Sequence, residues 1–237
     1  MNLKKIINLM RFIDKRREPK VLSEYKAKGG TRYDGGSLKK NEIQEQLLNE
    51  QKGLCAYCMK RISAPLNKTP HLNIEHILCR THYPNKELDY LNMVGVCLGN
   101  SDKKNAELHC DKSKDSSKHH YLLKKLIPTT EDVESFFKFT KNGKMIPVSE
   151  DIDIQRDIQR DIDALNLNEF YTKKNRENII IKLENDYKRK CKSKNKGEVY
   201  KFLRKELLKW NTLNENGFLQ PYCIVAIKFI SKKLRQI

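Results

Sequence analysis

Four cysteines constrain the fold of this chain most: Cys55 and Cys58, a C-x2-C turn just after Gly53, then Cys97 and Cys110. Such a turn presents two thiolates to one ion, and a second pair completes a tetrahedral zinc site. An ion held this way replaces the apolar core that so small a unit lacks. The second pair is irregular. Twelve residues, LGNSDKKNAELH, separate Cys97 from Cys110, a length a loop can bridge. Rival ligands exist: Cys79 and His82 form a C-x2-H pair, and His109 adjoins Cys110. A lone C-x2-C also suits a redox couple, but that motif ordinarily opens a helix in a βαβ unit, and no such pattern follows here. Cys191 and Cys223 stand alone and read as structural.

Between the two cysteine pairs lies a Glu75-His76 dipeptide within LNIEHIL, which reads as a strand, and YLNMVGVC reads as a second. A polar helix is expected from Asp111 toward Leu126, closed by Pro128. Strand, loop, strand and helix around a metal make a compact ββα unit. Neighbours on a strand point to opposite faces, although a strand end can aim both at one site. A neutral imidazole accepts a proton from water at cellular pH. An acidic residue beside it suits metal-assisted hydrolysis.

Charge then narrows the substrate. Lys and Arg number 48 against 30 Asp and Glu, a net charge of +18. That excess fits a polyanionic partner, because phosphate contacts release counterions. The opening MNLKKIINLMRF has no long apolar run, and no stretch approaches transmembrane length, so no membrane association is expected. A cytoplasmic, reducing setting follows, in which paired cysteines hold metal rather than disulfides.

The chain divides into three expected parts. Residues 1–50 form a basic arm, a Gly-rich loop and a helix capped by Ser37 that carries Ile43, Leu47 and Leu48 on one face. The paired glycines and Arg32 suit either phosphate contact or, as the preferred reading, a flexible surface loop. Residues 51–127 hold the metal and catalytic candidates. Residues 128–237 are expected to open with a hairpin at Asn142-Gly143, a type I′ turn signal, and to continue as helices. The first is capped by Ser149 and bears Ile152, Ile158, Ile162 and Leu165; the second is capped by Asn168 and runs to about Lys190. Two more span Glu198–Trp210 and Gln220–Arg235. The stretch KRKCKSKNK, with Lys188, Arg189 and Lys190, reads as a nucleic-acid or partner contact or as a solvated loop between helices. The fold class is α+β, mainly α.

CAYC, IEHI, LNMVGVC and CDKSK together resemble the HNH, or ββα-metal, nucleases. The resemblance implies His76 as general base, Asn92 as the hydrogen-bonder that fixes the loop, and Glu75 and Asp111 as ligands of a catalytic Mg²⁺ or Mn²⁺. Cys55, Cys58, Cys97 and Cys110 would hold structural zinc. Arg80, Lys112 and Lys114, with Lys188 to Lys190, would meet nucleic acid. A narrower likeness covers nearly the whole chain. RFIDKRREPKVLSEYKA, GLCAYCMKRI, YPNKELDY, NMVGVCLGNS, HCDKSK and QPYCIVAI resemble the HNH protein of Septu anti-phage systems, a family that also occurs as a retron effector. This likeness implies an ABC/SMC-like ATPase partner, in retron settings a reverse transcriptase with its msDNA, and an endonuclease acting on DNA or on structured RNA such as tRNA. The sequence departs from that family at LCRTH after IEHI and at Asp111, where His or Asn is usual. The reading from another class is a non-catalytic, zinc-stabilised module that binds nucleic acid or a partner.

Overall fold

The computed structural model describes residues 12–62, 72–116, 121–130, 133–192 and 195–237. The chain is α+β and mainly helical, with two antiparallel two-stranded sheets among the described residues. Helix α1 (Lys20–Ala27) and helix α2 (Lys40–Glu50) lead to the C-x2-C turn. Strand β1 (Asn73–His76) pairs with β2 (Met93–Val96), with Glu75 opposite Val94 and His76 opposite Met93. Helix α3 (Asp111–Ser116) follows. Strands β3 (Phe137–Phe139) and β4 (Met145–Pro147) form the second hairpin. Helices α4 (Ile152–Ala164), α5 (Phe170–Cys191), α6 (Lys196–Asn211) and α7 (Cys223–Leu234) complete the fold.

Hydrophobic contacts cross the three sequence segments. One buried cluster joins Ile13, the C-x2-C turn, Val94 and Val96 of β2, Phe137, Met145 and the Ile158/Ile162 face of α4. A second packs Leu183 of α5 against Val199, Leu203 and Leu207 of α6 and Ala226, Ile227 and Ile230 of α7. A third seats α1 and α2 on Tyr90 and Met93. Helix α7 is apolar nearly all round because it is covered twice. Its inner face meets α5 and α6, while Ile224 and Val225 meet Met59 and Tyr222 beside the C-x2-C turn. No helix among the described residues is long and apolar enough to cross a membrane.

Several element ends differ from expectation, and each has a local cause. Helix α2 starts after Lys39, not at Ser37, because the chain turns once more at Gly35–Leu38 (Leu38 N–H to Gly35 O, 3.1 Å) and buries Leu38. Ile43 and Leu47 are buried, as their spacing implies. Asp151, not Ser149, caps α4, accepting from the N–H groups of Asp153 and Ile154, and Ile152 is 70% exposed. Glu169 caps α5 in the same way, which leaves Asn168 to bond both backbone groups of Met145. The Asn142-Gly143 hairpin is present, but only Gly143 has positive φ (77°), so the link is a three-residue loop with a left-handed glycine, not a type I′ turn.

The expected helix from Asp111 toward Leu126 stops short. Asp161 of α4 is fully buried, and its carboxylate accepts from the backbone N–H groups of Lys124 (3.1 Å), Lys125 (2.7 Å) and Leu126 (2.7 Å), and from the Tyr121 hydroxyl (2.9 Å). Consecutive amides turned toward one anion form a nest, a geometry that excludes helical i→i−4 bonding there.

Candidate metal and catalytic site

The turn from Gly53 to Ile62 is a small, densely bonded loop. Gly53 adopts φ 72°, Leu54 bridges to Arg61, and the Cys55 N–H bonds Lys60 O at 2.9 Å. Two contacts fasten it to β2. Ala56 N–H bonds Gly95 O (3.0 Å), and the Gln51 amide both donates to Gly95 O (2.7 Å) and accepts from Gly95 N–H (2.6 Å). Tyr222 N–H bonds Met59 O (3.1 Å), tying the start of α7 to the same turn.

Cys55, Cys58, Cys97 and Cys110 come together here, all buried. Sulfur separations are 3.8 Å for Cys55–Cys110, 3.7 Å for Cys58–Cys97 and 3.8 Å for Cys97–Cys110. A tetrahedron with Zn–S of about 2.3 Å has S···S edges of about 3.8 Å, whereas a disulfide needs about 2.05 Å. The four sulfurs therefore fit an ion such as zinc. Hydrogen bonding to the other three thiols holds Cys58 well below the usual thiol range, while burial pushes Cys110 well above it. The protons shared among these sulfurs are what a dication displaces. Cys97 N–H also donates to Cys55 Sγ (3.3 Å), and His109 Nδ1 lies 3.1 Å from Cys110 Sγ, an outer layer that orients the ligands. The rival pair does not reach this cluster. Cys79 instead lines the neighbouring cavity, and His82 is exposed.

That cavity, about 850 Å³, is walled by β1, α3, the loop after β1 and the Gly-rich loop. Glu75 and His76 both line it, each buried, although they approach from opposite faces of the strand end. Glu75 accepts from the Tyr57 hydroxyl (3.2 Å) and pairs with the buried Lys114 ammonium. Tyr57 sits inside C-A-Y-C, so one side chain links the thiol cluster to the carboxylates. Carboxylate oxygens of Glu75, Asp111 and Asp115 lie within 4.8 Å of one another. Burial pushes the Glu75 carboxyl up to about 8, against the opposing pull of Lys114 and reinforced by Asp111.

His76 is held on two sides. Its Nε2 lies 2.9 Å from the Glu87 carbonyl, and Tyr33 meets its ring edge-on with centroids 4.6 Å apart. A carbonyl only accepts, so in the neutral ring Nε2 carries the proton and Nδ1 the lone pair. Burial lowers the pKa of His76 to about 4, keeping the ring neutral at cellular pH. Asn92 ends the 3₁₀ turn Tyr90–Asn92 before β2. It accepts from Leu78 N–H (2.7 Å) and donates to Leu78 O and Lys86 O (both 3.0 Å), clasping the loop after His76.

The candidate cations fall into two groups. Arg80 and Lys112 rim the cavity, paired with Asp34 (2.6 Å) and Asp111 (3.3 Å), while Lys114 is buried within it. Lys188, Arg189 and Lys190 lie elsewhere, in the last turn of α5 rather than in a loop, where they suit the negative end of the helix dipole. Lys188 and Arg189 also pair with Glu184 and Asp186.

Sequence reasoning missed Asp115, although it stands one helical turn after Asp111 and so shares its face. It also missed Tyr33 and Glu87, which reach His76 only through the tertiary fold. No protein-family model matches the chain, and no curated protein shows significant similarity to it.

Proposed function

We propose that the chain is a metal-dependent endonuclease of the HNH kind. The observation that carries this reading is the pairing of a neutral, doubly held histidine with three carboxylates in one cavity, on a hairpin fastened to a thiol cluster. In this reading, Cys55, Cys58, Cys97 and Cys110 hold structural zinc, and Glu75, Asp111 and Asp115 hold Mg²⁺ or Mn²⁺. The hard oxygen ligands suit such a cation, and its charge would favour the ionised form of Glu75. When bound, that cation supplies Lewis-acid stabilisation of charge at the phosphate and on the departing 3′ oxygen.

The protein's own groups do the rest. His76 Nδ1 takes a proton from water as the water oxygen attacks phosphorus, and the P–O3′ bond breaks, its oxygen gaining a proton from solvent. The Glu87 carbonyl fixes the tautomer and stabilises the imidazolium that forms. Asn92 keeps the loop behind His76 from rotating the ring away.

Within this reading the chain serves as an anti-phage effector held in check by a partner ATPase, because the Septu-like segments run along nearly its whole length. The sequence holds no nucleotide-binding loop of its own, so ATP control would come from that partner. The decisive assay compares wild type with His76→Ala on plasmid DNA and total cellular RNA, in Mg²⁺ or Mn²⁺, with and without a candidate ATPase. Loss of cutting in the variant, with zinc retained, is the expected result and names the polymer. Undiminished cutting removes His76 from the mechanism. No cutting under any condition, with nucleic acid still bound, favours the non-catalytic module.

A further inference from the structure

The Gly-rich loop is a built part of the cavity wall. Its backbone is anchored at Gly30 N–H to Tyr25 O (3.0 Å), Gly35 N–H to Arg32 O (3.1 Å) and the Tyr25 hydroxyl to Arg32 O (2.7 Å). The Tyr25 ring fills the space beside Gly30 and Gly35, so any Cβ at those positions would collide with it. Tyr33 is buried, with Lys40 and Arg80 over its ring at 4.2 and 4.7 Å, and Asp34 joins the same two cations.

Glu87 connects this loop to His76. Its carbonyl meets His76 Nε2, while its buried carboxylate forms an ion pair with Arg32 (Nε to Oε1, 3.0 Å) and accepts from Tyr33 N–H (3.3 Å). Arg32 is thereby paired at Nε while its side chain stays 76% exposed, and it is one of the residues that line the cavity. A guanidinium held by one edge offers its other donors as a preset fork, the geometry that takes a phosphate through two hydrogen bonds.

We propose that residues Gly29–Ser37 form a clamp for a phosphodiester group flanking the reacting one, with Arg32 as the gripping side chain. The proposal rests on the nuclease reading for its substrate class, a nucleic-acid backbone, and deepens it: register on the strand is set from the segment before the C-x2-C turn. Because Glu87 holds both Arg32 and His76, a phosphate on the clamp is positioned relative to the general base through a single residue.

The test uses full-length protein carrying His76→Ala, so that binding is read without cutting. The probes are a short fluorescent DNA duplex and an RNA hairpin of matched length, with affinity followed between about 50 and 200 mM salt. Adding Arg32→Gln is expected to weaken binding and to reduce the slope of log K against log[salt] by about 1, one phosphate contact. A change on one probe alone identifies that polymer as the occupant. Lys141→Gln, an exposed charge in the second hairpin outside the cavity, is expected to leave the slope as it was. Gly35→Ala removes no charge but displaces the loop, and is expected to weaken binding as Arg32→Gln does. The clamp is overturned if Arg32→Gln keeps the parental slope, if Lys141→Gln lowers it equally, or if Gly35→Ala binds normally. The cleavage result for His76→Ala stands apart from all three, so failure of the clamp and failure of the nuclease reading are distinguishable.

Discussion

Residues 170–237 contain 18 of the 48 Lys and Arg but 6 of the 30 Asp and Glu, a net +12, whereas the cavity is lined by five cations and five carboxylates. The first region carries a large net positive charge; the second holds cations and carboxylates in equal number, most of them in ion pairs. In the nuclease reading, long-range attraction for a polyanion would come mainly from the summed charge of the helices, screened over about 8–10 Å at physiological salt. The cavity contributes geometry, and only a bound cation would tip its balance positive. The two regions are also held together differently. Helices α5 to α7 are joined by apolar side chains at helical spacing. The β1–β2 region has short strands, and the four thiols, the Gln51–Gly95 bonds and Asn92 supply much of its cohesion.

The largest effect expected to probe this contrast is that of Cys58→Ser. Bound zinc should fall from near one per chain toward none, with several kcal/mol of stability lost. Hydrogen exchange should show Val94 and Val96 losing protection while Leu203 and Leu207 keep theirs; simultaneous loss in both regions would make them one cooperative unit and break the comparison. Leu203→Ala should cost about 2–5 kcal/mol through a cavity in the helical core, read by denaturant unfolding, with zinc content unchanged. Asp161→Asn should cost about 1–3 kcal/mol, since an amide oxygen accepts less strongly than a carboxylate from three backbone N–H groups.

pH sharpens the contrast further. An unfolded His76 titrates near 6.5 and the folded one near 4, so the unfolded chain binds more protons between these values. Stability should therefore fall as pH drops from about 6.5 to about 4, with the loss blunted in His76→Gln. Cleavage at saturating substrate should keep its base well below pH 6.5. The smallest effect is that of Lys188→Gln, an exposed pair on α5, which should change stability by less than about 0.5 kcal/mol.

What could be read in advance tracks the range of the interactions involved. Cysteine spacing, the two strand segments and the helical apolar repeats are local patterns, and the described elements follow them. The error at Leu126 has a non-local cause: the carboxylate that captures those amides lies 35 residues onward. Helix caps slipped because Ser149, Asp151, Asn168 and Glu169 compete as acceptors, and packing decides among them. Arg176 resembles a surface residue of α5, yet it is fully buried and donates to Gly143 O and Leu167 O (both 2.7 Å), locking the second hairpin to the helix. In the candidate site, Glu75 and His76 stand out in the sequence by lying between the two cysteine pairs, and Asp111 through the HNH resemblance, in which it follows Cys110. Tyr33 and Glu87 do not, because they meet the rest of the site across more than fifty residues of chain, and Arg32 reads as a phosphate contact or, by preference, as part of a flexible loop, with no sign of its pairing to Glu87.

The excursion between Cys97 and Cys110 carries one more consequence. Its stem closes where His109 N–H meets Gly99 O (3.1 Å) and Asn100 meets Glu107 O (3.0 Å), so the thiols feel the stem and not the tip. Residues 101–105 beyond it are exposed. Closure entropy grows only logarithmically, about 0.6 kcal/mol for each doubling of a flexible loop, so the tip is a place where chain length is nearly free to drift. A peptide tag or a dye attachment site grafted there would ride on the rigid thiol-bound frame without entering the cavity.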